Sequence, residues 1–186
     1  MNEMRNGLIG LVAVAAMALP AQAALTPGTR APDFTTQGAM GGKAYRVHLA
    51  QQLKKGPVVL YFFPAAFTSG CNAEAKMFAD KVDAFRAEGA TVIGMSADGI
   101  EPLKKFSTEH CAGKFAVATA SPAVLKGYDV VLATKGKDGK PRVISNRTSY
   151  VIAPDGRILH AHSDMSPAEH VNSTLAAVKK WRASRG

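Results

Sequence analysis

The sequence has 186 residues, of which 47% are hydrophobic and 20% are charged, so it fits about one globular domain and not a disordered chain. Lysine and arginine (23) outnumber aspartate and glutamate (14), and the resulting net charge of +9 favours anionic partners in general. Two cysteines are too few for a scaffold held together by disulfides.

Residues 1–23 have the pattern of a secretory signal peptide. A short polar start precedes an apolar run at 7–19, and the tripeptide at 21–23 is a small-x-small cleavage site. The apolar run is shorter than the roughly 20 residues that span a bilayer. We therefore expect cleavage after Ala23, a mature domain of residues 24–186 without membrane insertion, and a periplasmic location.

From residue 57 onward, apolar runs alternate with amphipathic segments. Periodicity and turn residues predict three strands, three helices, a hairpin and a last helix: strands at 57–63, 90–96 and 115–119, helices at about 71–88, 101–111 and 122–128, hairpin strands at 148–152 and 157–162, and a helix opened by Ser166 and Pro167 at 166–169.

This order of elements predicts an α/β fold with a mixed central sheet and helices on both faces. Phe78, Val82 and Phe85 recur at helical spacing and mark the core face of the first long helix. Two segments rich in glycine, 36–43 and 135–140, are predicted to be loops.

Cys71 follows a strand predicted to be buried and lies in the first turn of the predicted helix. Active sites of open α/β sheets gather at the carboxyl ends of strands, and a helix N-terminus favours an anion such as a thiolate. Thr68 supplies a hydroxyl near the sulfur, and Pro64 ends the strand without an N–H group. On residue type alone, the favoured interpretation of Cys71 is a small buried hydrophobic residue, and its local context reverses that preference.

Pro64, Thr68 and Cys71 form the pattern P-x-x-x-T-x-x-C, which resembles the active-site motif of the peroxiredoxins. The longer string at 61–75, YFFPAAFTSGCNAEA, is similar to the bacterioferritin-comigratory protein (peroxiredoxin Q) branch of that family. It departs from the branch at Asn72, where threonine is usual, and matches it at further positions: Gly70, Glu74 and Ala75.

Two distant segments extend the resemblance over about residues 28–181. The tetrapeptide A-P-D-F at 31–34 resembles the opening of most peroxiredoxins, and R-T-S-Y-V-I at 147–152 resembles a strand of the family that begins with a functional arginine. The resemblance implies a thioredoxin-like fold and assigns that arginine to Arg147.

The resemblance also implies the activity, a thiol-dependent peroxidase that needs no cofactor. The Cys71 thiolate would attack hydrogen peroxide or an organic hydroperoxide and become a sulfenic acid, with Thr68 and Arg147 holding the peroxide. A guanidinium beside a thiol independently stabilises the thiolate. Glu74 either orients Arg147 or is an ordinary first-turn acid.

Cys111 is the second thiol of the chain. Many members of the branch carry a resolving cysteine five positions after the first, where this chain has Lys76. Related peroxiredoxins place it on the later helix that here ends at Cys111. The resemblance therefore favours a Cys71–Cys111 disulfide, formed after local unwinding and reduced by a thioredoxin-like dithiol. A one-cysteine enzyme resolved by an external thiol and a structural disulfide stay open.

Two other functions compete with a peroxidase. One is a thiol–disulfide oxidoreductase, although the chain has no C-x-x-C, and the other is a non-enzymatic basic binding protein. His160 and His162 alternate along one strand without a third ligand nearby in sequence, so no metal site is predicted. No pattern indicates nucleic-acid binding, and the resemblance favours a monomer.

Overall fold

The computed structural model describes residues 24–136 and 138–185, so the predicted signal peptide, residues 1–23, lies outside the described residues. The described chain folds into strands and helices that follow one another in this order: β1 (Thr35–Met40), β2 (Lys43–His48), α1 (Leu49–Leu53), β3 (Val58–Phe62), α2 (Ser69–Ala87), β4 (Thr91–Ser96), α3 (Ile100–Glu109), β5 (Ala116–Thr119), α4 (Pro122–Gly127), β6 (Val131–Lys135), β7 (Pro141–Ser145), β8 (Thr148–Ile152), β9 (Ile158–Ser163) and α5 (His170–Ala183).

Seven strands form one mixed sheet in the order β2-β1-β5-β4-β3-β8-β9. Strands β3, β4 and β5 run parallel, whereas β8 pairs antiparallel with β3 and β1 pairs antiparallel with β5. Every residue of β3 is buried, as expected for a central strand that is covered on both faces. The predicted α/β class and mixed central sheet are confirmed.

Alternate side chains of β3 contribute to two separate cores. Val59 and Tyr61 belong to a core that also contains buried residues of α2, α3 and α5. Leu60 and Phe62 belong to a second core on the other face, with buried residues of α1 and α4. The predicted core face of α2 is confirmed, since all three of its side chains are buried: Phe78, Val82 and Phe85.

The predicted loop at 36–43 is wrong, because these residues form most of β1, the turn after it and the first residue of β2. Gly41 and Gly42, with φ of 56° and 79°, make the two-residue turn that joins the strands. Gly38 lies where a Cβ atom would come within 2.6 Å of the Val47 Cγ2 atom. The small residues that suggested a loop therefore have another role, which is to let β1 pack closely against β2 and β5.

Apart from Lys135, the last residue of β6, the described residues of segment 135–140 form the loop between β6 and β7, as predicted. The two strands themselves, which form an exposed two-stranded ribbon beside the main sheet, were not predicted. One further prediction needs correction. The last helix begins at His170 and not at Ser166, because the Asp164 carboxylate accepts a hydrogen bond from the Ser166 N–H (2.8 Å) and holds the segment in a turn. Among the helices described, none has the length and apolar character that a bilayer crossing requires.

We predict that Gly38→Ala lowers the free energy of unfolding by about 1–3 kcal/mol, because the added methyl group collides with Val47 in a buried strand pair. Gly127→Ala is the matched control, since its Cβ would meet the Pro32 Cγ atom at an ordinary 3.4 Å. Urea unfolding of both variants measures the difference. Equal midpoints for the two variants would show that β1 is not held against β2 as described.

Candidate active site

Cys71 is the third residue of α2 and is 1% exposed. Thr68 occupies the N-cap position, and its side chain makes no capping hydrogen bond. The first-turn N–H groups of a helix have no partner within the helix, so this end favours an anion close to the Cys71 sulfur. The predicted location of Cys71, in the first turn of a helix after a buried strand, is confirmed.

The loop between β3 and α2 carries Pro64 and Thr68. Pro64 is half-buried, and Thr68 is exposed. The Thr68 hydroxyl donates a hydrogen bond to the carbonyl of Ala65 (3.0 Å) and not to the Cys71 sulfur. Its oxygen still has lone pairs, so in this geometry it offers an acceptor and no donor.

Arg147 lies between β7 and β8 and is 4% exposed. Its Nη2 atom donates to the Cys71 sulfur at 3.5 Å, its Nη1 atom donates to the carboxylate of Glu74, and its Nε atom donates to the carbonyl of Met165 at 2.9 Å. Each of the three guanidinium nitrogens therefore has its own partner. The structure brings Arg147 and Cys71 together, although they are 76 positions apart in sequence.

Glu74 lies three residues after Cys71 on α2 and is fully buried. Its Oε2 atom accepts from Arg147, which is the contact that an orienting role requires. Burial raises the pKa of Glu74 to about 8, and the positive charge of Arg147 opposes this rise. The other oxygen, Oε1, is buried and has no hydrogen-bond partner among the described residues.

A histidine and a serine that were not predicted lie behind this ion pair. His170 is fully buried, and its Nδ1 atom is 3.8 Å from the Glu74 Oε1 atom. Ser149 on β8 is 2.8 Å from the same Nδ1 atom. Burial lowers the pKa of His170 to about 4. No local pattern marks His170 in the sequence, because its partners come from α2 and β8.

Cys111 lies two residues beyond the end of α3 and is fully buried. Burial raises the pKa of the Cys111 thiol well above its usual range. Both cysteines are free and belong to the same hydrophobic core, which also contains Phe106. Ala112 and Gly113 follow with positive φ (50° and 67°), so a tight left-handed turn holds Cys111 inside.

The two histidines of β9 do not form part of a recognisable metal centre. His160 and His162 lie on the same strand. Within residues 24–136 and 138–185, no group of three or more His, Cys, Asp or Glu side chains has an arrangement that could hold a metal ion.

Comparisons with known proteins agree with one another. Residues 27–161 match the model of the AhpC/TSA family. The chain is 29% identical over 161 residues to the chloroplastic peroxiredoxin Q of Sedum lineare, covering 86% of this chain and 81% of that protein. It is 29% identical over 152 residues to peroxiredoxin Bcp of Bacillus subtilis, with coverages of 82% and 94%. The crystal structure of peroxidoxin BcpB from Mycobacterium tuberculosis superposes with a TM-score of 0.71 at 29% identity, over 83% of this chain and 96% of that one.

We predict that Arg147→Met lowers the free energy of unfolding by about 3–5 kcal/mol, because it leaves the Glu74 carboxylate buried without its partner. The double variant Arg147→Met with Glu74→Gln should recover part of this loss, since no buried charge is then left unpaired. Chemical denaturation of the reduced protein measures both effects.

Lys76→Met is the control on the same helix. The Lys76–Asp80 pair (2.9 Å) has side chains that are 73% and 57% exposed, so its loss should cost less than about 1 kcal/mol. If Arg147→Met costs no more than Lys76→Met, the buried ion pair does not stabilise the fold.

Proposed function

The chain belongs to the AhpC/TSA family, and we propose that it is a thiol-dependent peroxidase that reduces hydroperoxides at Cys71. One observation carries the assignment to this residue. The Cys71 sulfur is buried at the uncapped start of α2, with the Arg147 guanidinium 3.5 Å away. A helix N-terminus and a fixed cation both stabilise a thiolate, which is the form that reacts with peroxides.

In the proposed reaction, the Cys71 thiolate attacks the terminal oxygen of a hydroperoxide. The new S–O bond forms as the O–O bond breaks, and the leaving oxygen takes up a proton to become water or an alcohol. Cys71 is oxidised to a sulfenic acid. The Arg147 Nη2 atom and the first-turn N–H groups of α2 are the donors that would stabilise negative charge on the departing oxygen.

Glu74 and the Met165 carbonyl fix Arg147 for this task. They accept hydrogen bonds from two of its nitrogens and leave Nη2 directed at the sulfur. A guanidinium held in this way needs little reorganisation when charge develops in the transition state. Thr68 would contribute an acceptor for the peroxide hydrogen, since its own hydroxyl hydrogen is donated to Ala65. Pro64, which has no N–H group, would shield one side of the pocket.

We further propose that Cys111 resolves the sulfenic acid. Its thiol would attack the Cys71 sulfur and release water, which forms a disulfide that a thioredoxin-like dithiol then reduces. Support comes from the shared core of the two cysteines and from the short turn after α3, whose opening would free Cys111. Because both thiols are buried, the step requires local unfolding at one or both helix ends.

The cellular setting is proposed on sequence grounds. Residues 1–23 would direct export and be removed after Ala23, so the mature enzyme would act in the periplasm. Its reductant would then be an extracytoplasmic dithiol protein, and the resemblance to the peroxiredoxin Q branch favours a monomer.

We predict that one equivalent of hydrogen peroxide converts the reduced mature protein to a Cys71–Cys111 disulfide within a second. Mass spectrometry with thiol labelling after a rapid quench reports the state of each cysteine. Cys111→Ser should stop at a sulfenic or sulfinic acid on Cys71, because no second thiol is available. Cys71→Ser should lose peroxidase turnover on the order of 10³-fold or more.

The outcomes separate the alternatives. Rapid oxidation of Cys71 alone in the unaltered protein would keep the peroxidase and make it a one-cysteine enzyme. If both thiols survive as they do in an unfolded control, the peroxidase assignment to Cys71 is wrong. Rapid reduction of insulin disulfides without peroxide would favour a thiol–disulfide oxidoreductase.

We predict that the full chain, expressed in a Gram-negative bacterium, is recovered from the periplasmic fraction with Ala24 as its first residue. Intact-mass analysis and N-terminal sequencing measure the cleavage site. A form with Ala23→Arg is the control, because a large charged residue at that position should block processing. Recovery of uncleaved protein from the cytoplasm would contradict the proposed export.

A further inference from the structure

A buried polar pair behind the ion pair has no role in the peroxidase mechanism described above. His170 begins α5, Ser149 lies on β8, and both side chains are fully buried. The two side chains are hydrogen-bonded to each other, and the His170 Nδ1 atom lies 3.8 Å from the Glu74 Oε1 atom. A buried histidine that contacts the carboxylate holding the active-site arginine is well placed to influence the reactive sulfur.

The hydrogen bonds of His170 fix its tautomer. The Nε2 atom lies 2.8 Å from the carbonyl oxygen of Asp164, and a carbonyl only accepts, so Nε2 carries a hydrogen. The Nδ1 atom of the neutral ring is then an acceptor, and Ser149 donates to it from 2.8 Å. The Glu74 Oε1 atom, 3.8 Å from Nδ1, has no donor among the described residues.

The net charge of the buried cluster formed by Cys71, Glu74, Arg147 and His170 depends on whether Cys71 is ionised. When Cys71 is a thiol, Glu74 is ionised and His170 is neutral, the positive charge of Arg147 balances the negative charge of Glu74. When the thiol ionises, the same buried cluster carries one net negative charge, which a low-dielectric interior disfavours. One proton taken up by Glu74 Oε1 or His170 Nδ1 would restore neutrality. For that proton to bridge the two atoms, the 3.8 Å gap must close and the Ser149 hydroxyl must stop donating to Nδ1, which then gives the orphaned carboxylate oxygen its hydrogen bond.

We propose that Glu74 and His170 hold one proton between them when Cys71 is a thiolate, and that His170 is a positioning residue for the reactive sulfur. The thiol S–H bond breaks, the sulfur keeps the electron pair, and the pair formed by Glu74 and His170 gains the proton. The net charge of the buried cluster is the same before and after. This inference rests on the proposed function, because it concerns the activation of Cys71.

Charged and titratable groups near His170 act in both directions on a proton there. From β9, the His162 ring lies edge-on at 4.6 Å between ring centroids, and a charge there would repel a proton on His170. Arg147 opposes a full positive charge on His170, whereas the Asp164 carbonyl stabilises one. Burial raises the pKa of Glu74 and lowers that of His170, so it disfavours the charged form of each group.

The test follows the pH dependence of Cys71 alkylation by iodoacetamide, read on the Cys71 peptide by mass spectrometry. His170→Gln keeps an N–H group for the Asp164 carbonyl but has no basic nitrogen. We expect its alkylation midpoint to rise by about one pH unit, which lowers the Cys71 rate about tenfold at pH values below the midpoint and leaves the high-pH plateau unchanged. His160→Gln, which replaces the other histidine of β9 and not the ring packed against His170, is the control and should leave the midpoint in place.

A double-variant comparison shows whether His170 acts through Glu74. Glu74→Gln carries a permanently neutral amide, so its alkylation midpoint should not rise, and adding His170→Gln to it should change nothing further. Equal upward shifts by His170→Gln in both backgrounds would overturn the proposal.

The proposal can also be tested by NMR on the unaltered protein, so this test does not require any variant to fold. Long-range proton–nitrogen spectra of the histidine rings should show the Nδ1 signal of His170 moving over the same pH range in which Cys71 ionises, and this movement should vanish when Cys71 is alkylated. An Nδ1 signal that is indifferent to the state of Cys71 would overturn the proposal. If wild-type Cys71 instead alkylates like an unfolded thiol at every pH, the peroxidase assignment itself fails.

Discussion

The buried ion pair between Arg147 and Glu74 is the constraint on which the site depends. Both side chains are withdrawn from water, which is costly for charged groups unless their hydrogen bonds are satisfied. Each of the three guanidinium nitrogens of Arg147 donates a hydrogen bond, and the acceptors are Glu74, Cys71 and the Met165 carbonyl. If the Arg147 guanidinium moved to another partner, the buried Glu74 carboxylate would be left without a counter-charge. The sulfur therefore faces a fixed guanidinium and not a mobile one.

The register of the central sheet brings this pair together. In the antiparallel pairing of β3 with β8, Phe62 lies opposite Thr148, so the carboxyl end of β3 and the start of β8 meet at one edge. Cys71 follows β3 on α2, and Arg147 immediately precedes β8. The next pairing sets Tyr61 opposite Ser149, which places the Ser149 hydroxyl near α5 and His170. A one-residue slip would turn these side chains to the other face.

Continuous apolar runs and helical periodicity made β3, α2 and β4 predictable, because these elements are buried along their length. The β1–β2 hairpin was not predicted, since its strand character comes from the close approach permitted by Gly38 and not from large apolar residues. The β6–β7 ribbon has little buried surface and so leaves no alternating pattern. Within the site, motif residues could be placed from sequence, whereas His170 could not. Its contacts join elements that only the folded sheet brings together.

The two cysteines are equally buried but have different neighbours, so comparing them shows what the neighbours of Cys71 contribute to the reactivity of its thiol. Cys71 and Cys111 lie in the same hydrophobic core, and both are almost fully buried. Cys111 has no cation beside it among the described residues, and burial alone raises the pKa of its thiol. Cys71 has a helix N-terminus and the Arg147 guanidinium beside it. Because a thiolate reacts with peroxide and a thiol does not, this asymmetry supports the proposal that Cys71 is the first of the two to be oxidised. If Cys111 resolves the sulfenic acid as proposed, it must leave its apolar surroundings before it can attack the oxidised sulfur. The turn after α3 is the segment whose opening would release it.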